Sequence, residues 1–177
     1  VIQLNDDGDF KDKKIIIAEA LLDSVIKDCD ITNYKEIKKF KGKDFKDTIC
    51  NHPFLDLGYN FEIPMLEGRF VTTEQGTGIV HCAPSHGPDD FNLCLKHGIK
   101  AIETVDGDGK YTKNLPLFEG THIFKANPIV IEKLKAEKRL LTNGELIHSY
   151  PHSWRSKAPL VHRATPQWFI SMESHGL

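Results

Sequence analysis

The spacing of hydrophobic and polar residues predicts a chain that opens with short, mixed elements. Residues 1–4 and 15–18 are mainly apolar over strand length and flank an acidic turn. Four apolar residues then recur at helical spacing: Leu21, Leu22, Val25 and Ile26. This spacing indicates a short amphipathic helix that ends near Cys29. We expect the order strand, strand, helix.

Three later runs have the composition of strands. Residues 69–73 and 78–82 are β-rich and are separated by a Glu-Gln-Gly turn. Residues 140–150 are strand-like, and a tight turn is expected at 143–144. A further turn is expected at 106–109, where Asp and Gly alternate.

Two prolines mark the starts of further helices. Pro88 suits the first turn of a helix that runs to Gly98, a natural left-handed cap. Asn127 is the expected cap of a second helix, with Pro128 at its first position and its end near Arg139. Short strands with helices between them predict an α+β fold, a curled β-sheet or β-barrel core with peripheral helices.

Composition places this fold in one globular domain spanning 1–177. With 40% apolar and 27% charged residues the chain has the make-up of an ordinary soluble globule. Its apolar runs are only a few residues long, too short for a membrane span, and its start is unlike a signal peptide. The four cysteines lack short paired spacing, which favours free thiols in a reducing compartment and hence a cytoplasmic location.

The net charge of −2 gives the chain no general attraction to a polyanion. One segment, 35–45, is nevertheless rich in lysine and includes Ile37 and Phe40. We expect an exposed strand with a solvated edge there, in preference to an RNA-binding patch. A nucleic-acid contact of this domain should therefore be small or depend on other domains.

The segment 76–91, Gly-Thr-Gly-Ile-Val-His-Cys-Ala-Pro-Ser-His-Gly-Pro-Asp-Asp-Phe, holds the candidate chemistry. Asp89 and Asp90 fall in the first turn of a predicted helix, where the helix dipole and free N–H groups favour a carboxylate anion. Such an anion can bind an ammonium group well but is a poor general base. The alternative is that both aspartates only stabilise the helix start.

The two histidines of this segment admit several interpretations. A single histidine on a strand, such as His81, is more often a packed residue than a catalyst. His81, Cys82, His86 and Asp90 could also be metal ligands, but their spacing matches no zinc pattern. We therefore expect no metal site.

The motif at 76–91 resembles the signature of class I isoleucyl-tRNA synthetase editing domains. The segment 148–172, from His-Ser-Tyr-Pro to Phe-Ile-Ser-Met, is also similar to that family, and weaker matches at 52–54, 118–120 and 125–127 extend the resemblance over nearly the whole chain. It implies the editing-domain fold of the valyl, isoleucyl and leucyl enzymes. It also implies a domain excised from a larger synthetase, with about 165–177 leading back to the synthetic domain.

The resemblance implies hydrolysis of valine wrongly esterified to isoleucine tRNA. By the family motif Asp90 would hold the α-ammonium group and His81 would limit the size of the side-chain pocket. Four further residues would shape the substrate site: Thr72, Thr73, Thr77 and Gly78. His86 would organise the loop or contact the terminal adenosine. The expected partners are the acceptor end of isoleucine tRNA, misattached valine and the remaining synthetase domains.

Some features depart from the family pattern. The threonine-rich peptide that forms one wall of the site should precede Val1, so the activity of this segment alone is in doubt. Ser85 replaces a common Gly, and Ser153 and Ser156 stand where some relatives place a Cys-x-x-Cys zinc pair. No cofactor is expected in this domain; ATP and Mg²⁺ would serve the parent's synthetic domain. The alternatives are a non-catalytic fragment that binds the tRNA acceptor end, a metallohydrolase, and a valyl or leucyl paralogue.

Overall fold

In the computed structural model, which describes residues 1–172, the chain opens with a three-stranded antiparallel sheet. Its strands are β1 (Ile2–Leu4), β2 (Lys14–Ile15) and β3 (Tyr34–Glu36), in the order β2-β1-β3. In this register Ile2 lies opposite both Ile15 and Glu36. The predicted strand at 1–4 is confirmed, whereas the one at 15–18 is reduced to its first residue.

Helix α1 (Leu22–Asp28) follows β2 through a 3-10 turn at Glu19–Leu21, and Cys29 caps its end as the spacing predicted. Ile2 and Leu4 share one face of β1 because side chains alternate along a strand, and both are buried with Ile31. Leu22 and Ile26 of α1 pack against this cluster. The N-terminal core therefore forms between one sheet face and one helix.

A second core is aromatic and lies further along the chain. Strands β4 (Ile49–Cys50) and β5 (Ile63–Pro64) pair antiparallel on either side of a 3-10 turn at Leu55–Leu57. Phe54, Tyr59 and Phe118 are buried together. Side chains from the last helix complete the cluster, so residues far apart in sequence share this core.

Helix α2 (Pro88–Lys96) agrees with the sequence prediction at both ends: Pro88 begins it, and Gly98, at φ +72°, follows its cap. Helix α3 (Ala126–Ala136) starts differently. It continues from a 3-10 turn at Ile123–Lys125, so Asn127 lies inside the helix and caps nothing. The ring of His122 accepts the free N–H of Phe124 instead.

The α+β class is confirmed, but within residues 1–172 the sheets have three and two strands and no barrel closes. The runs at 69–73, 78–82 and 140–150, predicted as strands, are irregular. A strand needs a partner for its N–H and C=O groups, and none of the described residues pairs with these runs. The expected turn at 106–109 is present, because Asp106 accepts the N–H groups of Asp108 and Lys110.

The strand expected along the lysine-rich 35–45 segment is shorter than predicted. It ends at Glu36, and a 3-10 turn at Gly42–Phe45 follows. No helix within residues 1–172 combines the length and apolarity that crossing a bilayer requires.

Candidate functional site

The Gly-Thr-Gly start of the motif crosses closely over the N-terminal region. Gly78 has φ +80°, and a Cβ there would lie 2.4 Å from the Cβ of Ala18. The carbonyl of Thr77 accepts the N–H of Ala18 at 2.8 Å. Only glycine allows this backbone shape and this contact together, so the motif start is fixed by local geometry.

Asp90 is held by the loop that precedes helix α2. Its Oδ2 accepts the backbone N–H of Ala83 at 2.9 Å. Gly87 caps the helix in extended conformation, and a Cβ at Gly87 would come within 3.0 Å of the same oxygen. The absence of a side chain at Gly87 therefore lets the carboxylate fold back across the first turn. Asp90 thus organises the loop before the helix, and the Cys82 thiol is a further hydrogen-bond partner of its carboxylate.

Two thiols lie beside the Asp90 carboxylate. Burial raises the pKa of the Cys82 thiol, and the Asp90 charge raises that pKa further. The pKa of Cys94, which is buried in α2, is raised by burial first and by Asp90 second. Both thiols therefore stay protonated near neutral pH, and neither suits the role of a nucleophile, which requires a thiolate.

His81 is exposed and lies near the aromatic core. The pKa of His52 is lowered first by burial and second by the charge of His81, which places the two rings in the same neighbourhood. His52 stacks on Tyr59 with ring centroids 4.4 Å apart and accepts the N–H of Phe54 at 3.0 Å. The interpretation of His81 as a packed core residue is therefore wrong for the described chain.

His86 joins three segments of the chain. Its Nδ1 lies 2.9 Å from the carbonyl oxygen of His162, and its Nε2 lies 2.6 Å from the Thr104 hydroxyl. A carbonyl only accepts, so the neutral ring carries its proton on Nδ1 and accepts the Thr104 O–H at Nε2. Both ring nitrogens are thus occupied, a geometry that suits a loop organiser better than an adenosine contact.

More contacts reinforce this junction. The N–H of Ala164 donates to the carbonyl of Ser85 at 2.8 Å, and the buried Ser85 hydroxyl donates to the carbonyl of Ile102. Arg163 donates to the carbonyl of Val105 at 3.0 Å and lies 3.6 Å from Glu103. We call the set of residues 85–86, 102–105 and 162–164 the clamp. It fixes the loop directly before the helix that holds Asp90.

The predicted threonines are less closely tied to this loop. Thr72 and Thr73 are exposed, and no hydrogen bond within residues 1–172 joins either one to His81 or Asp90. Thr77 borders an open, mainly apolar cavity of about 480 Å³ whose other lining residues are 15–17, Val25, Cys29 and 141–142. The structure thus brings Asp90, Cys82 and His86 to one loop, and no hydrogen bond among the described residues joins Thr72 or Thr73 to His81 or Asp90.

Sequence reasoning missed several residues of this region. Thr104 and Arg163 belong to the clamp, and His52 neighbours His81, yet all three are far from the motif in sequence. Two features of the sequence pointed to this region: the weak family match at 52–54, which includes His52, and Ser85, which replaces a common Gly. Among the described residues no group of three or more His, Cys, Asp or Glu side chains could hold a metal ion. Ser153 instead accepts the N–H of Ser156 at 3.2 Å within a turn.

Comparison with sequence relatives shows which proteins this chain is similar to. The isoleucine–tRNA ligase of Pelagibacter ubique is 87% identical over 177 residues, which is 100% of this chain and 20% of that protein. The enzyme of the same name from Hahella chejuensis is 45% identical over 96% of the chain and 18% of its own length. The enzyme of that name from Gluconobacter oxydans is 43% identical over 90% of the chain and 18% of its own length.

The chain belongs to the isoleucine–tRNA ligase family. It spans about a fifth of the length of the curated relatives it matches. No family model matches it. Because the Pelagibacter ubique match covers the whole chain, the resemblance inferred at 76–91 is confirmed for the family.

Proposed function

We propose that this chain is the editing part of an isoleucine–tRNA ligase, which hydrolyses valine wrongly attached to isoleucine tRNA. The observation that carries the proposal is the Asp90 carboxylate, fixed by Ala83 at the start of α2 within the family motif. Kinship with isoleucine enzymes favours this specificity over the valyl or leucyl alternative. The editing-domain fold of the valyl, isoleucyl and leucyl enzymes is part of the proposal.

The need for such a site follows from the weakness of apolar discrimination. One methylene group is worth only about 1–3 kcal/mol in a hydrophobic pocket, a range for which isoleucine against valine is the standard example. A synthetic pocket built for isoleucine therefore also accepts valine at an appreciable rate. A second site that hydrolyses the smaller product removes the error.

In the proposed mechanism Asp90 Oδ1 faces the α-ammonium group of valine while Oδ2 stays on the Ala83 N–H. A water oxygen attacks the ester carbon, the bond to the ribose oxygen breaks, and that oxygen takes a proton. The water is activated by ribose hydroxyls and ordered waters. His81, Thr72, Thr73, Thr77 and Gly78 shape the pocket.

The whole protein's properties belong to the same proposal. The parent enzyme joins isoleucine to its tRNA with ATP and Mg²⁺ bound in its synthetic part, and editing itself uses no cofactor or metal. Its partners are the acceptor end of isoleucine tRNA and the other synthetase domains. Its location is the cytoplasm.

Two Asp90 variants in the full-length enzyme test the proposal. Asp90→Ala removes both the charge and the hydrogen bond to Ala83, whereas Asp90→Asn keeps an acceptor oxygen for that N–H and removes only the charge. We expect both variants to lose deacylation of valine-charged tRNA by about 10²-fold or more, while isoleucine activation is unchanged.

The comparison separates the two roles of Asp90. Initial rates of valine release and of isoleucine activation are measured on the same preparations. If Asp90→Asn retains the normal rate of valine release, Asp90 only anchors the loop, and the proposal that Asp90 binds the α-ammonium group is wrong.

A second candidate is a module that binds the tRNA acceptor end and hydrolyses nothing. The engagement of Asp90 Oδ2 by a backbone N–H favours it, because one carboxylate oxygen already has a structural partner. Deacylation by the full-length enzyme and by the chain 1–177 decides between them. Normal binding of charged tRNA with no hydrolysis by the full-length enzyme would establish the binding module.

A further inference from the structure

The segment 35–46 concentrates positive charge in a chain that is otherwise acidic. It contains six lysines against two acidic residues, Glu36 and Asp44, a local net charge of +4 in a chain of net charge −2. We call its lysines the lysine surface: Lys35, Lys38, Lys39, Lys41, Lys43 and Lys46. All six are exposed. The local field is therefore opposite in sign to that of the whole chain.

Most of these charges have no acidic partner. Lys39 is bonded to Glu19 and lies 4.0 Å from Glu36, so its charge is neutralised locally. Asp44 is occupied by the backbone N–H of Lys41 at 2.8 Å. Within residues 1–172 the other five lysines form no ion pair. Their ammonium groups are free to neutralise an external anion.

Edge protection does not account for this surface. Lysines on an edge strand prevent pairing with another chain, and β3 is an edge strand. However, β3 ends at Glu36, and backbone hydrogen bonds with Val1 continue the pairing only as far as Lys38. The other four lysines lie on a loop and in or beside a 3-10 turn, which offer no sheet edge to protect. The solvated edge expected from the sequence therefore explains two lysines of the six.

An exposed aromatic ring lies among the lysines. Phe40 is 44% exposed, its ring centroid is 5.6 Å from that of Phe45, and Lys38 Nζ lies 4.6 Å above it. Phe40 also borders an open cleft of about 500 Å³ with Glu19, Lys39, Lys41 and Asp44. Free ammonium groups beside an exposed aromatic ring match RNA, which presents phosphates and flat bases together.

We propose that the lysine surface binds the tRNA substrate, with Lys38, Lys41 and Lys43 on backbone phosphates and Phe40 against an unstacked base. The proposal rests on the proposed function, which makes tRNA the substrate. It adds the place on this chain where the RNA is held. The surface supplies the attraction that the net charge of the chain lacks.

The first experiment removes charge from the full-length enzyme. Lys38, Lys41 and Lys43 are changed together to Gln; the control changes Lys100, Lys113 and Lys125, which are exposed and form no ion pair in the described chain. Binding of uncharged isoleucine tRNA is measured over a range of salt. We expect the first variant to bind about tenfold more weakly at low salt, with its log K against log[salt] slope reduced by about 2.

The second experiment removes the ring and keeps its apolar bulk. Phe40→Leu should raise the Kd without changing the salt slope, because stacking carries no counterion term. Phe124→Leu is the control, since Phe124 is an exposed ring elsewhere in the described chain, at 52% against 44% for Phe40. An unchanged Kd for Phe40→Leu overturns the stacking part of the proposal.

These binding isotherms do not depend on hydrolysis. An enzyme that fails to release valine would refute the proposed function and leave the binding result intact. If the lysine variant and its control show the same Kd and the same slope, the lysine surface does not contact RNA and the inference is wrong. Melting temperatures of all variants should match, since none of the changed side chains is buried.

Discussion

Single residues of the motif divide into those that the backbone requires and those that it does not. Gly78 is required, because its φ of +80° and the Ala18 contact exclude a side chain. His81 is not required, since it is exposed and makes no hydrogen bond within residues 1–172. The residue types were readable from the sequence, whereas this division depends on contacts that only the fold supplies.

The exposure of His81 sharpens a prediction about size selection. An editing pocket must refuse a side chain one methylene longer than valine, which attraction cannot do but an ordered wall can, at about 1–3 kcal/mol. If His81 is that wall, His81→Ala in the full-length enzyme should begin to release correctly attached isoleucine. Deacylation of isoleucine-charged and valine-charged tRNA is compared, together with the melting temperature.

The control for this prediction is stability. Because His81 is exposed, the alanine variant should melt like the wild type, and any change in selectivity is then a property of the site. A stable variant that still spares isoleucine-charged tRNA would show that another residue sets the size limit.

Elements were predictable where their signals are local. Pro88 and Gly98 define both ends of α2 from their own backbone preferences, and the structure agrees. The strands expected at 78–82 and 140–150 are absent from the described chain. A strand forms only with a pairing partner, which local composition does not reveal. The clamp was invisible for the same reason, since its three segments are separated by many residues.

The clamp leads to a prediction about the Thr104 hydroxyl. Thr104→Val keeps the shape of the side chain but leaves His86 Nε2 without its donor, which should destabilise the fold by about 1 kcal/mol. Thr104→Ser keeps the hydroxyl and should be close to wild type. Urea unfolding of the three proteins measures the effect, and equal midpoints for the valine and serine variants would show that this bond contributes nothing.

On the scale of the whole molecule, the aromatic core unites parts of the chain that no local pattern connects. His52, Tyr59 and Phe118 come together from two segments, and His81 approaches from the motif. The α+β class followed from the mixture of short elements, but this arrangement depends on long-range packing. His52, which stacks on Tyr59 of this core, has a lowered pKa, so its burial couples stability to pH.

The last prediction follows from that coupling. Burial lowers the pKa of His52 in the folded chain, while in the unfolded chain it is about 6.5. Below about pH 6.5 the His52 ring is therefore protonated in the unfolded state but not yet in the folded state. The free energy of unfolding consequently falls as pH decreases towards the folded pKa. Above that range the contribution of His52 is complete.

His52→Asn keeps an acceptor for the Phe54 N–H and removes the titration. Urea midpoints at about pH 8 and about pH 5.5 should differ less in this variant than in the wild type, because the other titrating groups are common to both. An equal or larger difference in His52→Asn would show that His52 titrates alike in both states and that its burial has no effect on stability.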